Sequence, residues 1–414
     1  MVTSPTTLVA YDDPQHFSPL LFSQTVETLA KVDELVGRTR GVVIAAHQLQ
    51  GATHVATRDL LRELVRSMNS YYSNRIEGQG THPLNIDRAL KADFSAQPGV
   101  AQRQRIALAH IDAERALEQD LKGLVASEEV TLTSDFLAKA HRALYSRLSE
   151  GDRTTEDGHV VTPGEWRTDD VAVARHQPPT AASVPAFLAK MNQVYGRKAG
   201  LDQVLLRIAC AHHRTAWVHP FRDGNGRAVR LQTHGALYSL TDGLWSVNRG
   251  LARQRDEYYT RLSNADMGRM GDRDGRGNLS ERMLLEWCEF FIRVCEDQVS
   301  FMTKMLDLPS FKARLQTLML VRNGTFGISE YRPELTAPLH YIFAAGPIQR
   351  GEFVQMTGMG ERTARTSVSR LLKDGLLISP TPKGEVGLGL PLDMLSLLMP
   401  NLYPEASTLN PDPP

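Results

Sequence analysis

The chain of 414 residues has few cysteines, and they are not spaced as a paired motif. The nearest pair, Cys288 and Cys295, is seven positions apart, and Cys210 lies far from both. No pair has the C-x-x-C spacing of a metal or redox site. A disulfide framework is therefore not expected, and this usage fits the reducing cytoplasm. The first residues also lack a basic segment followed by an apolar one, so we predict no secretory signal.

The sequence also lacks an excess of charge and any long apolar run. Its 47 lysines and arginines balance 47 aspartates and glutamates, so binding to nucleic acid or an anionic membrane would need a local patch. No run approaches the roughly eighteen apolar residues that a membrane-spanning helix needs. We expect no membrane partner and a cytoplasmic location. The length is sufficient for two or three domains.

Apolar residues recur at helical spacing through most of the chain, which predicts a mainly α fold. Leu60, Leu61, Leu64 and Val65 illustrate the pattern. The exception is 155–176, where runs of valine, a Pro-Gly turn and a tryptophan predict a β-hairpin. One hairpin is too small to form its own core, so we expect it to lie over a surface.

The pattern changes again over 335–398. Two short helices separated by a glycine-containing turn, then two short strands around Thr-Pro-Lys-Gly-Glu, predict a winged helix-turn-helix. The predicted units are an N-terminal helical region, a helical core with the hairpin, the winged helix and a disordered tail. Their ranges are 1–98, 99–305, 306–400 and 401–414.

Chemically active residues are densest in the stretch HPFRDGNGRAVR. Gly224, Asn225 and Gly226 lie where one predicted helix ends and the next begins. Glycines let backbone N–H groups converge there, and the new helix adds its positive N-terminal end, so the turn suits a phosphate. Arg227 and Arg230 share a face of the new helix, and each guanidinium can bind phosphate oxygens with two hydrogen bonds.

An acid and a histidine complete this stretch. Asp223 next to an anion site is explained if the phosphates arrive with Mg²⁺, which carboxylates and phosphates commonly hold together. His219 could accept a proton from a nucleophile near neutral pH. The combination predicts phosphoryl or nucleotidyl transfer from a nucleoside triphosphate. Zinc bound by His212, His213 and His219 is the weaker alternative, because H-E-x-x-H and cysteine partners are missing.

The same stretch resembles the Fic (filamentation induced by cAMP) family. It matches H-x-F-x-[DE]-G-N-G-R-x-x-R at every fixed position, and GEWRTDDVAVARHQPP, LLRIACAHHRTAWVHPF and RDEYYTRLSNAD are also similar to this family. The resemblance covers roughly 20–305, and a winged helix is a common companion. It implies a Fic-type helical bundle with a hairpin flap. It also implies transfer of AMP from ATP to a Ser, Thr or Tyr hydroxyl of a target protein, with loss of pyrophosphate.

Site roles follow from the resemblance by matching position. It implies that His219 is the catalytic base, that Asp223 holds Mg²⁺ and that Arg230 binds chiefly the γ-phosphate. The residues implied to bind the nucleotide are Gly224, Asn225, Gly226, Arg227 and Arg230. Those that resemble the flap, which docks the target segment by adding a strand, are Val171, Ala172 and Val173.

A second stretch, SNRIEGQG, follows a strongly helical run. By itself it predicts a helix end closed by Gly78 with a solvated Glu77, and Ser73 lies one residue too far away for a capping box. Fic proteins with an N-terminal inhibitory helix carry [ST]-x-x-x-E-[GN], matched by Ser73, Glu77 and Gly78. The resemblance thus implies that Glu77 pairs with Arg230 and inhibits the enzyme.

Other functions stay open. Relatives in this family use the scaffold to remove AMP or to transfer other phosphate-containing groups, and the core could instead sense nucleotide for a DNA-binding regulator. The predicted recognition helix carries Arg362, Arg365, Arg370 and Lys373, which suits DNA, although winged helices also bind proteins. Self-modification and a homodimer are further expectations.

Overall fold

The computed structural model describes residues 12–22, 26–173, 176–198 and 200–403. Its helices are α1 Val26–Ala52, α2 Val55–Ile76, α3 Pro83–Leu90, α4 Pro98–Leu121, α5 Glu128–Thr131, α6 Ser134–Tyr145, α7 Val184–Tyr195, α8 Val204–Val218, α9 Asn225–Thr241, α10 Asn248–Arg253, α11 Arg255–Ala265, α12 Glu281–Leu306, α13 Leu308–Leu320, α14 Thr336–Ala345, α15 Arg350–Met356, α16 Glu361–Lys373 and α17 Leu392–Leu398. Two strands, β1 Leu377–Ile378 and β2 Gly387–Leu388, pair antiparallel. The predicted mainly α fold is confirmed. Across the described ranges, no helix is long and apolar enough to cross a membrane.

The core is built around α8, α9 and α12. On α12, Leu284, Cys288, Phe291 and Cys295 repeat at helical spacing and are all fully buried. This apolar face packs against α1, α8 and α11, while α9 packs against α4, α5, α6 and α8. The three cysteines are buried and free. Helices α8 and α9 are thus packed among other helices, and this packing positions the loop between them.

The segment 155–176 differs from the predicted β-hairpin. One bridge joins Val160 to Thr154, just before the segment, another joins Val173 to His176, and the described residues of the segment form no continuous strand. Backbone groups between the bridges pair with other elements instead: the Gly164 N–H donates to His141 Nδ1 at 2.8 Å. A hairpin ladder cannot form where its donors are already used.

The C-terminal elements α14, α15, α16, β1 and β2 follow the order helix, helix, turn, helix and paired strands. An isolated bridge between Ile348 and Val386 adds a third short strand position to the sheet. Phe353, Leu371 and Val386 are fully buried at its centre. The assignment of this unit as a winged helix, and the predicted domain boundaries, stay predictions.

The end of the described chain is packed onto the rest of the protein. Leu402 and Tyr403 are buried, so the disordered tail predicted from 401 begins too early. The ring of Tyr403 packs against the ring of Tyr71 on α2. This contact orders the start of the predicted tail, and the composition of the tail alone does not indicate it. Residues 404–414 of that predicted tail lie outside the described residues.

Candidate active site

The loop between α8 and α9 begins with a reversal of the backbone. Helix α8 ends because His219 adopts a left-handed conformation, with φ 49° and ψ 60°, and Pro220 cannot continue the helix. Gly224, with φ +75°, then starts α9. A Cβ atom on Gly224 would lie 2.4 Å from the Tyr145 ring, so this position also requires glycine for space.

Asn225 holds the loop in shape. Its Oδ1 accepts from the Phe221 N–H and its Nδ2 donates to the Phe221 carbonyl, both at 2.8 Å. The Phe221 ring is fully buried and stacks on His141 with centroids 3.9 Å apart. Because the Asn225 side chain is used inside the loop, only its backbone N–H is left to contribute to the predicted anion site.

His219 lies half-buried at the mouth of the loop. Burial lowers its pKa to about 4, and the charges of His176 and Arg167 act in the same direction. The Arg167 Nε donates to the His219 carbonyl at 2.9 Å, and Arg167 itself is buried. The imidazole is therefore uncharged near neutral pH, which is the state that a proton acceptor needs.

Asp223 presents a carboxylate that is 47% exposed. Its Oδ2 accepts from Tyr145 Oη at 2.5 Å and from Arg227 Nη2 at 3.3 Å. Burial would raise the pKa of Asp223, but the charge of Arg227 and the Tyr145 hydrogen bond hold it below its ordinary value. An ionised, half-exposed carboxylate next to a glycine turn is a donor that fits a hard cation such as Mg²⁺.

Both arginines of the motif lie on the inner side of α9 and are buried. Arg227 donates to Gln79 Oε1 at 3.1 Å and to Tyr145 Oη at 2.8 Å. Arg230 donates from Nε to Ser73 Oγ at 3.0 Å and from Nη2 to the Ser73 carbonyl at 3.1 Å. The two side chains therefore face the C-terminal end of α2.

Glu77 meets Arg230 directly. Helix α2 ends at Ile76, and Gly78 turns the chain with φ +75°, a conformation that favours glycine. The Glu77 Oε1 accepts from Arg230 Nη2 at 2.5 Å. It lies so close to Gly226 that a Cβ atom there would come within 2.3 Å of it. The carboxylate thus covers the N-terminal end of α9.

The charge of Glu77 is maintained in this position. Burial would raise its pKa, but the charges of Arg230 and Arg227 outweigh that effect and hold the pKa below its ordinary value. An anion therefore already occupies the place where the glycine turn and the arginines would bind a phosphate.

Of the predicted flap residues, Val173 forms the second bridge of the segment 155–176, and Val171 and Ala172 precede it. The Val173 and His176 backbones exchange hydrogen bonds of 3.0 and 2.8 Å, and the Val171 carbonyl accepts from the Gln177 side chain at 3.4 Å. Ala172 is exposed. Residues 174 and 175 lie outside the described residues, and docking of a target segment here stays a prediction.

Three side chains of the site were not predicted from the sequence. Tyr145 holds Asp223, Gln79 holds Arg227, and Arg167 holds the backbone of His219. Gln79 follows Glu77 by two positions and Arg167 lies in GEWRTDD, so both belong to stretches that resemble the Fic family. Tyr145 lies on α6 and had no signal in the sequence, because only the fold brings it to the loop.

The histidines of the zinc alternative are engaged elsewhere. His212 pairs with Thr233 Oγ1 at 2.7 Å and Tyr258 Oη at 2.9 Å, and His213 lies 3.1 Å from Asp266. These contacts occupy the imidazoles within the helical core, which disfavours zinc.

A second group of titratable residues, Glu114, Glu118 and His234, lies below Arg230. Its ligand atoms are within 4.8 Å of one another. However, Glu118 accepts two hydrogen bonds from Arg66 at 2.9 and 2.5 Å, and Asn69 donates to Glu114 at 2.8 Å. Since Arg66 already pairs with Glu118 and Asn69 binds Glu114, Asp223 fits Mg²⁺ better than this group does.

Comparison with known proteins finds a matching family model, related sequences and a similar solved structure. The profile of the Fic/DOC family matches residues 131–237. The chain is 27% identical over 199 residues to "Protein adenylyltransferase Fic" of Nematostella vectensis, covering 48% of this chain and 43% of that protein. It is 26% identical over 265 residues to "Protein adenylyltransferase fic-1" of Caenorhabditis elegans, covering 63% and 48%. The chain thus spans less than half the length of these curated relatives. A solved Fic family protein from Desulfovibrio desulfuricans G20 superposes with a TM-score of 0.48 at 17% identity, over 85% of this chain and 95% of that one.

Proposed function

We propose, from the premise that residues 131–237 form a Fic/DOC domain, that the protein is an autoinhibited protein adenylyltransferase. It would transfer AMP from ATP to a Ser, Thr or Tyr hydroxyl of a target protein and release pyrophosphate. The observation that carries this proposal is the pairing of Glu77 with Arg230 over Gly226, next to an uncharged His219. The names of the relatives support the same activity.

The chemistry assigns one task to each group of the loop. His219 accepts the proton of the target hydroxyl while the hydroxyl oxygen forms a bond to the α-phosphorus. The bond from that phosphorus to the bridging oxygen breaks, and pyrophosphate leaves with the electron pair. Backbone N–H groups of Gly224 to Gly226 stabilise the phosphate oxygens. When held by Asp223, Mg²⁺ would offset the negative charge of the phosphates.

Inhibition follows from the competition for one guanidinium. Arg230 is one of two buried arginines on α9 that face the anion site, and Glu77 already accepts its Nη2 hydrogen bond. A γ-phosphate that approaches Arg230 meets a carboxylate of the same sign, so ATP binds productively only after Glu77 has moved away. We infer that displacement of Glu77 activates the enzyme.

Intact-mass analysis tests the reaction. Glu77→Gly is incubated with ATP, Mg²⁺ and a lysate, and a gain of one AMP on a protein is the expected result. The same variant carrying His219→Ala is the control, and it should add no mass. Absence of any adduct with Glu77→Gly, on the protein itself or on others, would overturn the proposed transfer. Loss of AMP from a modified protein with wild type but not with Glu77→Gly would indicate removal of AMP instead.

The C-terminal unit carries a second candidate function, binding of duplex DNA. Arg362, Arg365 and Thr366 are exposed on one face of α16. Arg365 is also paired with Glu361 at 2.5 Å, which reduces the positive charge of this face. A mobility shift with duplex DNA that weakens as salt is raised would support DNA binding, and no shift at low salt would favour a protein partner or a structural role.

We further propose that the protein acts in the cytoplasm, where its free buried cysteines suit reducing conditions. Self-modification and a homodimer belong to the same proposal. The first is read from the intact mass of the protein itself, and the second from sedimentation.

A further inference from the structure

Helix α2 contacts different partners on two of its sides. Towards the site, Ser73 and Glu77 bind Arg230. On another side, the helix is covered by the end of the described chain, the strap, which we define as Asn401–Tyr403. The inhibitory residues are therefore held between the catalytic helix α9 and a segment that lies more than 300 residues further along the chain.

The strap is tied to α2 by two tyrosines. Tyr72 Oη donates to the Leu402 carbonyl at 3.0 Å, and Tyr403 Oη donates to the Leu64 carbonyl at 3.4 Å. The ring of Tyr403 meets the ring of Tyr71 edge-on, with centroids 5.8 Å apart. Both Tyr72 and Tyr403 are buried, so these hydrogen bonds are shielded from water.

A buried arginine holds the other end of the strap. Arg249 of α10 donates from Nε and Nη2 to the Asn401 carbonyl at 3.2 and 3.0 Å. Its guanidinium also lies over the Phe301 ring, 3.6 Å from the centroid. Since α10 itself packs along α2, the strap is positioned by the same body that carries the inhibitory helix.

Tyr72 is adjacent to Ser73, which gives the strap a direct connection to the site. A chain of contacts runs from the Leu402 carbonyl through Tyr72 to Ser73, and from Ser73 to Arg230. A rotation of α2 that breaks the Tyr72 hydrogen bond would also move Ser73, and with it Glu77 one turn further on. The strap therefore favours the orientation of α2 in which Glu77 reaches Arg230.

The contact between α2 and the C-terminal unit leaves a space that is partly open to solvent. A cavity of about 210 Å³ lies beside Tyr403, lined by Leu60, Leu64, Ile86 and Leu395 among others. The strap also continues directly from α17, which packs against α13 and α3. Movement of the C-terminal unit would thus be transmitted to the strap.

We propose that Tyr72 and Tyr403 are positioning residues that hold Glu77 on Arg230 through the strap, and that release of the strap activates transfer. This inference rests on the proposed function. The C-terminal unit would then regulate the enzyme, because a partner that displaces α17 withdraws the strap from α2.

The test compares AMP transfer by Tyr72→Phe and Tyr403→Ala with wild type. Tyr72→Phe removes one hydrogen bond of the strap, and we expect roughly a two- to tenfold increase in labelling from α-labelled ATP. Tyr403→Ala removes one hydrogen bond and also the ring contact with Tyr71, so its increase should be at least as large. Tyr341→Ala is the matched control, since Tyr341 is an exposed tyrosine of the same C-terminal unit away from the strap, and it should label as wild type does. Combined with Glu77→Gly, the strap variants should add nothing, because the inhibitory carboxylate is already gone.

Hydrogen exchange supplies a second readout that does not depend on activity. In Tyr72→Phe the amides of 73–79 should exchange faster, while those of α12 stay protected. If Glu77→Gly labels strongly but both folded strap variants remain at the wild-type level, the inference is overturned while the proposed function stands. A further increase when the strap variants are added to Glu77→Gly would also overturn it. If Glu77→Gly itself transfers no AMP, the proposed function fails, and this inference fails with it.

Discussion

Replacement of Glu77 tests how strongly its carboxylate competes for Arg230. Glu77→Gly removes the partner of Arg230 Nη2, and Glu77→Gln keeps the shape but not the charge. A hydrogen bond to a charged group contributes about 1.5–3 kcal/mol. The larger figure of about 3–5 kcal/mol for a fully buried pair does not apply, since the Glu77 side chain is 29% exposed.

These energies translate into a range for the activation. At about 1.4 kcal/mol for each factor of ten, Glu77→Gly should raise the rate roughly ten- to a hundredfold. Glu77→Gln should give a smaller increase, because its amide oxygen still accepts from Arg230 but does not repel phosphate. The measurement is the initial rate of labelling from α-labelled ATP at a fixed concentration below saturation.

Glu334→Gly provides the matched control, since Glu334 is an exposed glutamate in the C-terminal unit. It should leave the rate unchanged. Equal rates for wild type, Glu77→Gln and Glu77→Gly, in proteins that still bind ATP, would refute the reasoning. The contact between Glu77 and Arg230 would then be a structural ion pair without control over transfer.

Three further predictions concern the loop and the buried charges. His219→Ala combined with Glu77→Gly should abolish labelling while ATP still raises the melting temperature. Because the pKa of His219 is about 4, the rate of Glu77→Gly should show no midpoint near pH 6.5. Residual labelling or such a midpoint contradicts the role of His219 as base. Tyr145→Phe should weaken Mn²⁺ binding in calorimetry about ten- to a hundredfold, because Asp223 loses a hydrogen bond at 2.5 Å; unchanged binding refutes this. Burial opposes the charged form of His234, but Glu114 and Glu118 raise the pKa of His234 above 6.5. Charged His234 therefore adds to the free energy of unfolding below pH 6.5, and this contribution is lost as the pH rises through the raised pKa. Urea unfolding at several pH values should show this loss in wild type and not in His234→Gln, and equal pH dependence in the two proteins would contradict it.

Much of the loop could be predicted because its determinants are local. Gly224 lies between two helices whose apolar spacing is visible in the sequence, and Arg227 and Arg230 share a face by the geometry of one helix turn. The mainly α fold follows from the same periodicity. Twelve consecutive residues therefore sufficed to predict an anion site, and the Fic/DOC profile matches the segment that contains it.

In the 155–176 segment, contacts with distant elements override the local preference for a hairpin. Its valines and its Pro-Gly turn favour a hairpin, yet Gly164 and Arg167 use their backbone N–H groups to bind α6 and the catalytic loop. The β-propensity of a segment describes its preference in isolation, and here hydrogen bonds to distant elements outweigh that preference. Tyr145 is a similar case, because no spacing relates it to Asp223, which lies 78 residues away.

The sequence by itself determined the helical class, and it predicted the chemistry of the loop and, through a resemblance, the candidate inhibitory glutamate. Only the tertiary structure decided that Glu77 covers Gly226, that Arg167 and Tyr145 hold the loop between α8 and α9, and that Asn401–Tyr403 lies across α2. The physical reason is the range of the interactions. Helix periodicity and glycine turns act over a few residues, whereas these contacts form only after packing has brought distant segments together.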